Sequence, residues 1–246
     1  MKQIIIAALC LMAGAASAAE IRVISGGAVE PGLEAFSRLV RAEMGHELNI
    51  RYNTAPQIAK RLDAGEVFDI LISPPATIEP AVKAGKILPE TRVKVGRVGA
   101  GIIVRTGADA PDIATVEAMK KALLDADSVV YNTASTGIYL DKLFAQMGIA
   151  EALKAKTTRY PTGAAVMEHV IKGQGKELGF GAMTEIRMYE PKGLRLAGPL
   201  PAAVQNYTTY EAVLMTGATS ADAARSVLQL LSSPAARAAF AGGGVE

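Results

Sequence analysis

Apolar and polar positions along this chain alternate between two patterns: short apolar or every-second-residue runs, and stretches with apolar residues three and four apart. EIRVIS (20–25) reads as a strand, passes through Gly26 and Gly27, and leads into an amphipathic stretch carrying Leu33, Phe36, Leu39 and Val40. ELNIRYN (47–53) predicts a strand, 55–62 a helix stopped at Gly65, FDILIS (68–73) a strand, and 78–84 a helix stopped at Gly85. After the extended segment GRVGAGIIVRTG (96–107) a second series begins. It predicts a helix near 116–124, strand SVVYN (128–132), helix 137–147, a strand near 157–160, helix 164–172 and strand LGFGA (178–182). A Pro- and Gly-rich stretch, GPLPAAVQ (198–205), then leads into NYTTYEAVLM (206–215), a long run of β-formers, and two closing helices at 221–231 and 234–240.

Strands alternating with helices at this spacing predict an α/β fold whose mostly parallel sheets carry helices on both faces. Two similar series predict two lobes, residues 20–100 with 205–246 and residues 101–204. The segments 98–105 and 207–215 bound the second series and are both extended, so they are expected to run side by side as two crossing hinge strands. A ligand would then sit between the lobes, at the carboxyl ends of the strands. A single continuous domain is the competing architecture, and it would leave no deep cleft.

The N-terminus adds a compartment to this picture. Lys2, an apolar run over 4–16 and the small-x-small triplet Ala16-Ser17-Ala18 predict a cleavable signal peptide over 1–18 and export to the periplasm. The run is shorter than the roughly 20 residues that span a bilayer. The single cysteine, Cys10, falls inside it, so disulfides and thiolate-bound metals are not expected in the mature chain. His46 and His169 lie on separate segments and predict no metal site. With 26 Lys and Arg against 24 Asp and Glu, the chain lacks the basic stripe that nucleic-acid binding requires. SGGAVEPG (25–32) lacks the Gly-x-Gly-x-x-Gly spacing, no Walker lysine follows a glycine-rich stretch, and no Gly-x-Ser-x-Gly elbow is present. Neither a cofactor nor catalysis is therefore expected.

Candidate chemistry concentrates at four strand-to-helix junctions: Ser25-Gly26-Gly27, Asn53-Thr54, Ser73-Pro74 and the run Thr133 to Gly137. Helix N-termini offer free N–H groups and the positive end of the helix dipole, so each junction is a potential anion cradle. Ser, Thr and Asn are also ordinary N-caps, and only convergence of the four loops on one crevice favours ligand contact. The expected ligand-binding set is Ser25, Gly26, Gly27, Asn53, Thr54, Ser73, Thr133, Ser135, Thr136 and Gly137. Arg159 can be read as a bidentate carboxylate partner or as a plain strand-end arginine. Tyr139 and Tyr160 read as core, as do the apolar positions of DKLFAQM (141–147) and MEHVI (167–171).

Along nearly the whole mature chain these segments resemble the periplasmic molybdate-binding family of ABC transporter receptors, the type II periplasmic binding proteins. The resemblance is carried by VISGGAVEPGL (23–33), APQIAKRLDAGEVFDILIS (55–73), AVKAGKI (81–87), TGIYLDKLFAQMGI (136–149), LGFGAMTEI (178–186) and SSPAARAAFAGGG (232–244), in that order. It implies a monomeric two-lobed receptor that closes on a small-molecule anion and presents it to a membrane permease. In the family a tetrahedral oxyanion is held by hydroxyls and amides. The hydroxyl positions fall here at Ala28, at or near Ala55, and at Ala182, and the backbone positions at Thr136 and about Ala164. Each hydrogen bond lost to a charged group costs about 1.5–3 kcal/mol, so three missing donors predict weak molybdate binding unless they are replaced. Ser25, Asn53, Thr54, Thr133 and Ser135 are the available replacements, and Ala182 enlarges the pocket. The expected ligand is thus a small anion, an oxyanion or preferably a small carboxylate. A periplasmic enzyme, a sensor subunit on the same fold, and a true molybdate or tungstate receptor are the alternatives.

Overall fold

The computed structural model describes residues 18–246; the expected signal peptide, apart from Ala18, lies outside the described residues. Strands β1 (Glu20–Gly26), β2 (Glu47–Asn53) and β3 (Ile70–Ser73) alternate with helices α1 (Glu30–Met44), α2 (Ala55–Asp63) and α3 (Pro75–Lys83). Strand β4 (Val93–Arg105) leads to α4 (Val116–Asp125), β5 (Ser128–Asn132), α5 (Ser135–Gln146), α6 (Ala150–Lys154), β6 (Thr157–Tyr160), α7 (Gly163–Lys172) and β7 (Glu177–Ala182). Helix α8 (Met183–Tyr189), strands β8 (Leu194–Pro199) and β9 (Tyr207–Leu214), and helices α9 (Ala221–Leu231) and α10 (Pro234–Gly242) complete the order.

The strands form one curled sheet in the order β2-β1-β3-β9-β4-β7-β5-β6, with β8 on the second half of β4. Within each half the three outer strands are parallel and share one topology, β2-β1-β3 and β6-β5-β7, while every pairing around β4 and β9 is antiparallel. The halves are therefore joined through long central strands, and each half presents its parallel strand ends to the other.

Pleating sorts the apolar residues. In β1 and β3, Ile21, Val23, Ile70 and Ile72 face α1, α9 and α10, whereas Ile24 and Leu71 face α2 and α3. In β4, Ala100, Ile102 and Val104 join Met119, Leu140 and Phe144 on one face, and Ile103 joins Val166 and Val170 on the other. Both faces of each half are thus covered, as parallel strands require.

Three features differ from the sequence expectation. Strand β4 starts at Val93, and only Val93 to Gly99 lies against β9; from Ala100 onward it pairs with β7 and β8. The expected hinge pair therefore overlaps at Val98 and Gly99 alone, and Val93, Lys94, Gly96 and Arg97 carry the rest of the pairing, with the register slipping at Val95. Helix α3 begins three residues early, because Pro75 sits at its first position, where a missing N–H costs nothing. Strand β8 and the short helices α6 and α8 were not anticipated at all, being too brief to show a period. No helix among the described residues is long and apolar enough to cross a membrane.

Candidate functional site

Strands β1, β2, β5, β6 and β7 all end at one crevice between the halves, and a helical turn begins just beyond each of them. A cavity of about 240 Å³ lies there. Six of the ten expected residues line it: Gly26, Gly27, Asn53, Thr54, Ser135 and Thr136. So do all the positions implied by the family resemblance, namely Ala28, Ala55, Ala164 and Ala182 beside Thr136.

The other four expected residues lie elsewhere, for local reasons. Strand β1 runs to Gly26, so Ser25 is still pleated; its side chain is fully buried and its hydroxyl donates to the Gly26 carbonyl at 3.1 Å. Ser73 likewise belongs to β3 and is buried, its Oγ without a partner. Thr133 extends the β5–β6 ladder through its N–H to the Tyr160 carbonyl, 2.8 Å, and its side chain is exposed. Gly137 is buried in the first turn of α5, where any Cβ would run into the Asn132 carbonyl; it permits close packing of helix on strand end.

Asn132, which sequence reasoning passed over, organises the α5 end of the crevice. Its Oδ1 accepts from the amides of Ala134 (3.0 Å) and Gly137 (3.2 Å). The Ser135 and Thr136 amides between them lack an intrahelical acceptor. The same economy recurs at α7, where Thr162 Oγ1 accepts from the Ala165 amide (3.3 Å) and leaves those of Gly163 and Ala164. At α2 a capping box of Thr54 and Gln57 uses the Gln57 amide, and Pro56 has none, so Ala55 supplies the spare donor. Each of these residues with a spare amide lines the cavity. Helix dipoles and oriented N–H groups thus converge from both halves on one small volume.

No Lys, Arg or His lines this cavity among the described residues, but two carboxyls do, Glu30 and Glu185. Glu185 sits at the third position of α8, and burial, with the nearby Glu30 charge, pushes its carboxyl up to about 7. Burial also raises Glu30, helped by Glu34 and opposed by Lys192. Tyr210 of β9 forms the floor, its phenol raised by burial and by Glu185. Tyr52, whose hydroxyl donates to Glu34 at 2.8 Å, closes one side.

A second cavity of about 280 Å³ adjoins the first along α2, α3 and α5, sharing Ala55, Pro74 and Ser135 and lined mainly by apolar side chains that include Leu62 and Ile138. The residues set aside as core or strand-end positions are engaged elsewhere. Arg159 pairs with Asp141 at 2.9 Å, Tyr139 donates to the Val204 carbonyl at 2.6 Å, and Tyr160 bonds His169 at 2.9 Å.

Known proteins resemble this chain in sequence or in fold. The chain is 29% identical over 195 residues to an aconitate isomerase of a Pseudomonas species, an overlap of 79% of this chain and 73% of the relative. The sulfate-binding protein of Mycobacterium tuberculosis H37Rv superposes with a TM-score of 0.77 at 16% identity, covering 92% of this chain and 86% of that one. The periplasmic molybdate-binding protein of Azotobacter vinelandii gives 0.75 at 15% identity, covering 92% and 98%. At such identities the structures speak for the fold alone, the two-lobed fold of periplasmic binding proteins. A family of bacterial extracellular solute-binding proteins matches residues 21–246, and the chain belongs to that family.

Proposed function

We propose that this protein captures a small polycarboxylate in the crevice between its lobes and presents it, in the closed form, to the permease of an ABC-type uptake system. The lobes are assigned to residues 20–100 with 205–246 and to residues 101–204, and the chain works as an exported monomer. The observation that carries the reading is the convergence of spare amides from α2, α5 and α7 on a cavity that, among the described residues, contains no cationic side chain. Such a site suits carboxylate oxygens, which accept several N–H bonds each. Ala28, Ala55 and Ala182 leave more room, and fewer hydroxyls, than a tetrahedral oxyanion would use. The adjoining apolar cavity offers space for a carbon skeleton. The relative named for aconitate, a tricarboxylate, supports the same ligand class.

Binding both lobes at once favours closure by the difference in contacts between open and closed states. Calorimetry with citrate, aconitate, tricarballylate, molybdate and sulfate tests the ligand class. A tricarboxylate is expected to bind tightest; tight molybdate binding with no response to carboxylates would refute it. Thr136→Val combined with Asn53→Ala should weaken binding by about 100-fold or more, since each bond to a charged group contributes about 1.5–3 kcal/mol. Unchanged affinity would mean that neither side chain touches the ligand and that the amides alone hold it.

A second reading has specific support. A chain that transforms its ligand as well as holding it is favoured by the isomerase relative and by a cavity wall that carries Glu185.

A further inference from the structure

The Glu185 carboxyl occupies an unusual position. Its Oε1 lies 2.8 Å from where a Cβ on Gly27 would stand, and its Oε2 lies 2.5 Å from the corresponding point on Gly163. Both neighbours are glycine, and the carboxyl therefore reaches between the turn at Gly27–Val29 and the start of α7, one from each half. It lines the cavity, and no described residue hydrogen-bonds to it. One residue earlier, the buried Thr184 donates to the Ala28 carbonyl at 2.5 Å and pins the first turn of α8 to the opposite half. A carboxyl on an anchored turn, with its own bonding capacity unused, is available to a ligand.

We infer that Glu185 is a proton-transfer group that shifts the double bond of an unsaturated polycarboxylate bound among the amides of α5 and α7. The inference rests on the reading that the crevice holds a carboxylate. In the reaction the Glu185 carboxylate removes a proton from the saturated carbon that lies between the double bond and a carboxylate. The C–H electron pair spreads over the allyl unit and the attached carboxylate, and the same Glu185 carboxyl returns the proton to the far end of that unit. One C–H bond breaks and one forms, the double bond moves by one position, and nothing else is consumed. The spare amides of Ser135, Thr136, Gly163 and Ala164 are placed to hold the carboxylate oxygens on which charge builds up, the preorganised stabilisation that such a step needs.

The surroundings suit the task. Glu30 faces Glu185 from α1, Tyr210 from β9 and Tyr189 from α8 itself, while Glu34 and Lys192 act on Glu30. No cation faces it directly, so the carboxyl, pushed up to about 7, is basic enough to accept a proton and acidic enough to return it near neutral pH.

The test uses cis- and trans-aconitate with the full chain in D2O. Proton NMR follows deuterium entry at the methylene and vinyl positions and the appearance of the other isomer, and calorimetry on the same samples follows binding. The wild-type protein is expected to exchange and interconvert the isomers, with a rate that rises as pH passes through about 7. Glu185→Gln is expected to bind aconitate more tightly above neutral pH, having lost a like charge, and to exchange at least about 100-fold more slowly. Binding without deuterium entry overturns the inference and leaves the receptor reading intact. Exchange by Glu185→Gln at the wild-type rate also overturns it, by removing the base. Absence of binding by either isomer overturns the inference, and joined to silence towards citrate and tricarballylate it overturns the carboxylate reading as well.

Discussion

Two carboxyls, the buried Asp69 beside β3 and the half-buried Glu185 in the crevice, show what separates a carboxyl used to build the fold from one left over for a ligand. Asp69 is fully buried, and its oxygens accept from the backbone amides of Arg22 (2.7 Å), Thr219 (2.6 Å) and Ser220 (3.0 Å) and from the Thr219 hydroxyl (3.2 Å). Burial alone would raise it, but the hydrogen bonds from Ser220, Arg22 and Thr219 outweigh that and hold it below the usual range. It ties the start of α9 to β1 and thereby closes the chain's last segment onto the first half. Glu185 is held among groups that give its carboxyl no hydrogen bond, and it is raised instead. Sequence alone offers two acidic residues; the donors around them separate their roles.

Asp69→Ala should break the comparison most severely. Three part-buried amides would lose their acceptor, at about 1 kcal/mol or more each before relaxation, so a loss of about 3 kcal/mol in chemical denaturation is expected. A loss under about 1 kcal/mol would mean that water replaces the carboxylate. Because its carboxyl is depressed, the Asp69 contribution is present above the ordinary range of a free Asp and is lost as pH falls.

Glu185→Gln should act with the opposite sign. A raised carboxyl favours the folded state fully below its ordinary value of 4.5 and loses that advantage as pH rises through about 7. The wild-type protein should therefore weaken between pH 5 and 8, while Glu185→Gln should be more stable at pH 8 by about 2 kcal/mol, a figure discounted for the open cavity. Denaturation curves at both pH values decide it, and parallel pH profiles would remove the assigned shift.

Asn132→Ala sharpens the contrast, since Asn132 does at α5 what Asp69 does at α9 but without charge. A loss of about 1 kcal/mol is expected, the ordinary value of a helix cap. A loss equal to that of Asp69→Ala would show that charge contributes little to either anchor.

Much of this arrangement is legible from the residues. Thr54 with Gln57 and Thr162 ahead of α7 follow the grammar of helix caps, and the loops they mark do reach the crevice. Ser25 and Ser73 mislead because each strand continues through the serine, and one pleat decides which way a side chain points. Glu185 leaves no trace in the pattern. It lies on a seven-residue helix, where an acidic residue in the first turn is unremarkable, and it gains its meaning only when Gly27, remote in sequence, is brought opposite. The sharing of β4 between halves is equally hidden, since nothing in an unbroken run of strand-formers tells where its partners change.

A cavity lined by amides instead of by Lys or Arg also sets the kinetics of capture. The field of a helix end fades within about a turn, whereas a full charge reaches out to the Debye length of roughly 8–10 Å. Nothing in that lining draws an anion in from a distance, and the Glu30 and Glu185 carboxyls, when charged, slow its approach, more so in dilute than in salty surroundings. On the receptor reading proposed above, selectivity then resides in the departure rate, once the ligand has replaced water at the amides. A receptor of this design would hold an anion better as salt screens those carboxyls, the reverse of a site built on lysine or arginine.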